Sequence, residues 1–162
     1  MKGKGSATRA TSLAAINPAG CNCLALRQAA RQVTQIYDQF LAPSGLRATQ
    51  YSILARLQRK GPMTINALAA ELVMDRTTLG RNILPLERDG LIAIAAGRAD
   101  RRSKEVRLTG AGTARFRAAF KAWQGAQGRF EAAFGVTRAR ELRTMLEKVA
   151  SSAPAAATDV QG

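Results

Sequence analysis

The tightest constraint on this chain lies between Thr64 and Gly90, where two short apolar periods are each introduced by a residue suited to cap a helix. Thr64 precedes Ile65, Leu68, Ala69 and Leu72, and its hydroxyl can take one of the amide protons that a helix start leaves unpaired. After a tight turn at Val73-Met74, Asp75 is placed to cap a second period of Leu79, Ile83 and Leu86 at i, i+4 and i+7, which Gly90 ends. Two short helices joined by such a turn form a helix-turn-helix. The period then changes. Leu91 to Ala96 reads as a strand with Ile92 and Ile94 on one face, and Glu105-Val106-Arg107-Leu108 alternates with period two. The connection Gly97-Arg98-Ala99-Asp100-Arg101-Arg102-Ser103 makes this a β-hairpin with a charged tip.

The flanks are helical. From Cys21 on, Leu26, Ala29, Ala30, Val33, Tyr37 and Phe40 recur at three-four spacing, with Arg27, Arg31, Gln35 and Asp38 opposite, until Pro43-Ser44-Gly45. A second helix follows Thr49, turns Ile53, Leu54 and Leu57 inward, and stops at Gly61-Pro62. Downstream, Thr109 restarts a helix carrying Phe116, Phe120 and Trp123, whose middle Gly125 and Gly128 should soften. Gly135 breaks it, and Thr137 can cap a last helix with Leu142, Met145, Leu146 and Val149 on one face.

Charge then narrows the partners. The chain has 162 residues, and 25 Lys+Arg against 11 Asp+Glu leave a net charge of +14. That balance points to a polyanion, either nucleic acid or an anionic membrane surface, and nucleic acid is favoured over basic side chains that merely keep a helical protein in solution. No run of about 18 consecutive apolar residues is present, so no membrane partner is expected. Histidine is absent, which removes Ser-His-Asp and Cys-His catalysis and the histidine-bearing zinc motifs. Cys21 and Cys23 alone cannot fill a tetrahedral metal site. Gly3-x-Gly5 and Gly110-x-Gly112 lack the third glycine of a dinucleotide loop, and no Gly-Lys-Ser/Thr occurs. Neither enzyme activity nor any cofactor or metal is expected. Leu13-Ala14-Ala15-Ile16 is too short for a secretory core and Asn17-Pro18 breaks it, so the chain reads as cytoplasmic.

The order helix, helix, helix-turn-helix, basic hairpin and two long helices resembles the MarR (multiple antibiotic resistance regulator) family of transcription factors. The resemblance covers about residues 21 to 150. It is carried by Leu68-Ala69-x-x-Leu72 through Asp75-Arg76-Thr77-Thr78-Leu79, by Leu86-Glu87-Arg88-Asp89-Gly90-Leu91, and by Asp100-Arg101-Arg102-Ser103 followed by Leu108-Thr109-x-x-Gly112. It implies a mainly α fold with a small β-hairpin wing, a winged helix-turn-helix with N- and C-terminal dimerisation helices. It also implies a homodimer that binds a palindromic double-stranded operator, usually as a repressor released by a small effector. On this reading residues 1–17 form a flexible basic arm and 18–150 the MarR-type domain. Within that domain about 46–110 form the DNA-binding lobe, and 18–42 and 111–150 the dimerisation helices. Residues 151–162 form a disordered tail.

The chemistry of the residues supports a DNA-reading surface independently, since a solvated helix with incidental charges would leave the adjacent basic hairpin unexplained. Arg76, Thr77, Thr78, Arg81 and Asn82 lie on the helix after Asp75 and face away from Leu79 and Ile83, where short hydroxyls and a guanidinium suit base edges in a major groove. On the hairpin, Arg98, Arg101, Arg102, Lys104 and Arg107 outnumber Asp100 and Glu105, and an arginine on an extended tip suits a narrow minor groove. The resemblance implies that Arg102 is that arginine and that Asp100 braces it.

Two signals compete. The resemblance implies an effector site, often for aromatic acids, among the first, second and fifth helices. Tyr37, Tyr51, Phe116, Phe120 and Trp123 can line it, with Arg27 or Arg31 meeting a carboxylate, although aromatics at helical spacing also serve as plain core. The second signal is oxidation at Cys23, with Cys21 close by, as in the hydroperoxide-sensing branch of that family. A third reading, from another class, is an architectural DNA-binding protein using the same basic surfaces.

Overall fold

The computed structural model describes residues 20–97 and 101–152, and the chain divides into two compact units, residues 1–33 and 34–162. The basic arm, Arg98, Asp100 and the tail from residue 153 therefore lie outside the described residues.

In the first unit the described residues open helix α1 (Asn22–Leu41). Cys21 stands just before it: its carbonyl accepts the Ala25 N–H at 3.0 Å and its Sγ accepts the Leu24 N–H at 3.4 Å. A thiol is an unusual N-cap. It occupies the place where Ser or Asp would take a leftover amide proton.

The second unit contains the end of α1, α2 (Ala48–Lys60), β1 (Met63–Thr64), α3 (Ile65–Glu71), α4 (Arg76–Arg88), β2 (Ile92–Ala96), β3 (Lys104–Leu108), α5 (Gly110–Phe134) and α6 (Val136–Ser152). Each start has a local cause. Thr64, Asp75 and Thr109 are N-caps whose side chains accept the N–H of Ala67, Thr78 and Gly112 at 3.1, 2.7 and 3.0 Å. α2 begins one residue before the Thr49 that the sequence pointed to, because its first N–H is taken from outside the helix and its N-cap N–H by its own third residue. Ala48 N–H donates to Asp38 Oδ1 at 2.7 Å, and Arg47 N–H to the Gln50 side chain at 3.0 Å. Thr137 is not a cap: α6 starts at Val136, directly after the left-handed Gly135. At its far end α6 includes Ser151 and Ser152.

The sheet has the order β1-β3-β2, all antiparallel, with Ile92 opposite Leu108, Ile94 opposite Val106 and Met63 opposite Val106. β1 was not anticipated, since two residues carry no periodicity. It forms because β3 offers its second edge. The core behind the sheet gathers Ile53, Leu54 and Leu57 of α2, Leu68 of α3, Leu79, Ile83 and Leu86 of α4, and Ile92 and Val106. Burying those side chains fixes the angle at which α4 leaves the turn, because each contributes about 1.5–3 kcal/mol of burial free energy.

α5 is one continuous helix of 25 residues despite its glycines. Gly125 is there for close packing: a Cβ on it would sit 3.0 Å from the Phe40 ring. No helix among the described residues is long and apolar enough to cross a membrane.

Candidate nucleic-acid interface and effector cleft

Of the α4 residues expected to read DNA, four are exposed and Asn82 is half-buried. On α4, Leu79, Ile83 and Leu86 are buried while Arg76, Thr77, Thr78 and Arg81 are exposed on the other side. Their roles differ. Asp75 Oδ2 accepts the Thr78 hydroxyl proton at 2.7 Å while Oδ1 holds the Thr78 N–H, and Asn82 Nδ2 donates to the Thr78 carbonyl at 2.8 Å. The Thr78 hydroxyl first, and then the Thr78 N–H, hold the Asp75 carboxyl below its ordinary range. Thr78 and Asn82 thus brace the helix start, and the cationic surface is left to Arg76 and Arg81. Pro85 sits inside the helix without an N–H, beyond Arg81.

The hairpin closes through Gly97 N–H to Ser103 O at 2.8 Å. Arg101, Arg102 and Lys104 are exposed near its tip, and Ser103 is half-buried. Arg107, counted among the hairpin cations by sequence, lies back on β3 opposite Ala93 and is half-buried.

The aromatic residues divide into two places. Tyr51 stacks on Phe116 (ring centroids 5.0 Å apart) and on Trp123 (6.1 Å), and Trp123 stacks on Phe120 (5.8 Å). These four line one cleft of about 520 Å³ together with Ser52, Arg56, Arg59 and Glu71. Burial pushes the Tyr51 hydroxyl upward in pKa. Tyr37 is not in this cleft. It donates to Gln127 Oε1, Gln127 donates on to Glu131 at 2.9 Å, and Arg143 reaches Glu131 at 3.3 Å. Burial first, and then the Glu131 charge, raise the Tyr37 pKa. Arg27 and Arg31 are exposed in the first unit. The cations at the cleft are Arg56 and Arg59, which sequence reasoning passed over. Their signal was the run Arg56, Arg59, Lys60 on one side of α2 facing a lone Glu71 at the end of α3.

That Glu71 gathers three cations: Lys60 at 2.7 Å, Arg56 at 2.9 Å and Arg59 at 4.0 Å. The Lys60 hydrogen bond, with the neighbouring positive charges, lowers its pKa from the ordinary 4.5. No group of three or more His, Cys, Asp or Glu side chains among the described residues can hold a metal ion.

A helix-turn-helix followed by a two-stranded wing, carrying arginines on both, defines a winged-helix DNA-binding protein. The MarR family model matches residues 46–104. The M. tuberculosis transcriptional regulator MosR is 37% identical, with a TM-score of 0.71 over 83% of this chain and 98% of that one. MosR in complex with DNA is 40% identical, with a TM-score of 0.70 over 82% and 97% of the two chains. The curated HTH-type transcriptional regulator YwoH of Bacillus subtilis is 34% identical over 84 residues, 52% of this chain, and the match spans 61% of YwoH's own length. The chain belongs to the MarR family of transcriptional regulators.

Proposed function

We propose that this protein is a cytoplasmic homodimeric repressor, a binding protein rather than an enzyme. In this reading α4 enters the major groove of a palindromic operator, the wing enters the adjacent minor groove, and a small aromatic acid causes release. The observation that carries it is the exposure of Arg76 and Arg81 on α4 and of Arg101, Arg102 and Lys104 at the wing of the same compact unit, over a core that fixes both elements. A symmetry mate is called for by the apolar stripe on the last helices, where Val136, Met145 and Val149 are each at least half exposed. A two-fold dimer sets the recognition helices about one DNA turn, roughly 34 Å, apart.

Selection of duplexes from a random pool, followed by footprinting and sedimentation, tests the reading. One palindrome and a dimer are expected; uniform coating of any duplex would show an architectural protein instead. On the selected site Arg81→Ala should relax base preference and cost about 1–3 kcal/mol, while Arg102→Ala should shift preference at A·T-rich flanks. If both variants bind like wild type, the helix and wing assignments fail.

A redox signal is favoured by one observation, the exposed Cys21 whose Sγ accepts an amide proton at the start of α1. Oxidation of Cys21 or of the exposed Cys23 changes that helix start. A gel-shift titration with an organic hydroperoxide, repeated on Cys21→Ser and Cys23→Ser, decides it: release lost in one variant supports sensing, and unaltered binding by oxidised wild type ends it.

A further inference from the structure

Arg76 at the start of α4 and Lys104 at the tip end of β3 are far apart in sequence but line one small cavity. It has a volume of about 280 Å³ and is also lined by Thr64, Ile65, Asn66, Arg102 and Ser103. Among the seven described residues that line it, three are cationic and none is acidic. Around it, Thr64 Oγ1 already accepts the Ala67 N–H, and Asp75, beside Arg76, is occupied by Thr78. The walls therefore offer an amide and positive charge in a concave space.

We propose that this cavity is an oxyanion pocket that seats one phosphodiester of bound DNA, with Asn66, Arg76 and Lys104 as the groups around it. The proposal rests on the DNA-binding reading above. If α4 lies in a major groove and the wing in the neighbouring minor groove, the strand that separates those grooves must pass between the two elements. The cavity bounded by Arg76 of α4 and Lys104 of β3 is what that strand meets there. Contacts to phosphate carry no base information, but they fix register and orientation. A phosphate seated between the two reading elements would set the distance from the major-groove contacts to the minor-groove contacts. Asn66, which lies on the first helix of the motif, thereby becomes a DNA contact that no base-reading argument finds.

The test uses the full chain and the operator obtained by selection. Neutral methylphosphonates replace the operator phosphates one at a time, and each duplex is titrated with wild type, Asn66→Ala, Arg76→Ala and Lys104→Ala. All three side chains are exposed, so the variants should keep the wild-type melting temperature. Each variant is expected to lose about tenfold in affinity for operator and non-specific DNA alike, and the log-log salt slope should fall by up to about 0.9 in Arg76→Ala and Lys104→Ala, which remove a cation, but stay unchanged in Asn66→Ala, which removes a neutral amide. At one symmetric pair of phosphates, neutralisation should cost wild type a similar factor and cost the Lys104→Ala protein almost nothing more. Wild-type affinity in the Asn66 and Lys104 variants, or losses that add fully at every phosphate, overturns the pocket while leaving operator binding intact. Failure of the selection to yield any operator would instead strike the DNA-binding reading itself. A third arm titrates inorganic phosphate at constant ionic strength. Saturable binding that Lys104→Ala abolishes while DNA affinity is unchanged would assign the cavity to a free phosphorylated ligand and overturn the proposal.

Discussion

Val73 and Gly90 hold the same left-handed position at the ends of α3 and α4, with φ of +52° and +71°. The hydrogen bonds match. Met74 N–H donates to Ala69 O and Val73 N–H to Ala70 O, just as Leu91 N–H donates to Leu86 O and Gly90 N–H to Glu87 O. Both are Schellman ends, in which the residue past the cap must turn left-handed. Glycine does this without a Cβ penalty; a β-branched side chain does not. The strain at Val73 sits in the turn that aims α4, and its side chain, 80% exposed, recovers little by burial.

Val73→Asn should therefore stabilise the fold by about 1 kcal/mol, because asparagine tolerates the left-handed region and little packing is lost. Gly90→Val should destabilise by a similar or larger amount. Thermal melts read both, at roughly 2–4 °C per kcal/mol for a chain of this size. A Val73→Asn protein that melts below wild type would show that the valine is held by contacts rather than strained.

Much of the fold was legible because its signals are local. Thr64, Asp75 and Thr109 each precede an apolar period and each caps the helix it announces. The strand pair, expected at 91–96 and 105–108 and found at 92–96 and 104–108, followed from alternation. What stayed hidden depends on pairing across the chain. β1 exists only through Val106 and Glu105, and α2 gains its first residue because Asp38 reaches the Ala48 N–H. The candidate site divides in the same way. Arg76 and Arg81 could be placed on an exposed face by helical spacing alone, whereas the meeting of Arg56 and Arg59 with Glu71 required α2 and α3 to pack. Tyr37 shared the aromatic pattern, yet its hydroxyl selects Gln127 over the stack.

Gly112 has a separate role, set by the Leu91 carbonyl. A Cβ on residue 112 would lie 1.9 Å from the Leu91 oxygen and 3.0 Å from the Leu108 side chain. Thr109 ties the same junction, its hydroxyl donating to the Gly90 carbonyl at 2.7 Å and its N–H to Leu91 O at 3.2 Å. Gly112→Ala must push α5 off the wing. Overpacking of this kind costs about 1–3 kcal/mol, and with backbone as the obstacle the upper end is expected. A urea midpoint unchanged by the substitution would contradict the packing.

Acid should loosen the helix-turn-helix through Glu71. Its folded pKa lies below the ordinary 4.5, chiefly through the Lys60 hydrogen bond, so its contribution is complete above pH 4.5 and is lost as pH falls through the lowered folded value. Asp75, lowered from 3.8 by Thr78, adds the same sign over a somewhat more acidic range. Stability followed from pH 6 downward should drop in this window, and the drop should be shallower in Glu71→Gln. Equal slopes in both proteins would remove Glu71 as the cause.

Trp123 is the single tryptophan of the chain and one wall of the cleft, so its fluorescence reports on any occupant. A planar aromatic acid such as salicylate should stack against Tyr51, Phe116 and Trp123, with its carboxylate toward Arg59, whose side chain is 68% exposed and comes no closer to Glu71 than 4.0 Å. Arg59→Ala is the better probe than Arg56→Ala, because Arg56 sits 2.9 Å from Glu71 and its loss disturbs that ion pair. Saturable quenching is expected in wild type, weakened about tenfold in Arg59→Ala if one charge-assisted hydrogen bond is lost. The same concentrations should release a bound operator. Quenching without release would make the cleft a binding site uncoupled from DNA, and linear, non-saturating quenching would show that salicylate does not bind there.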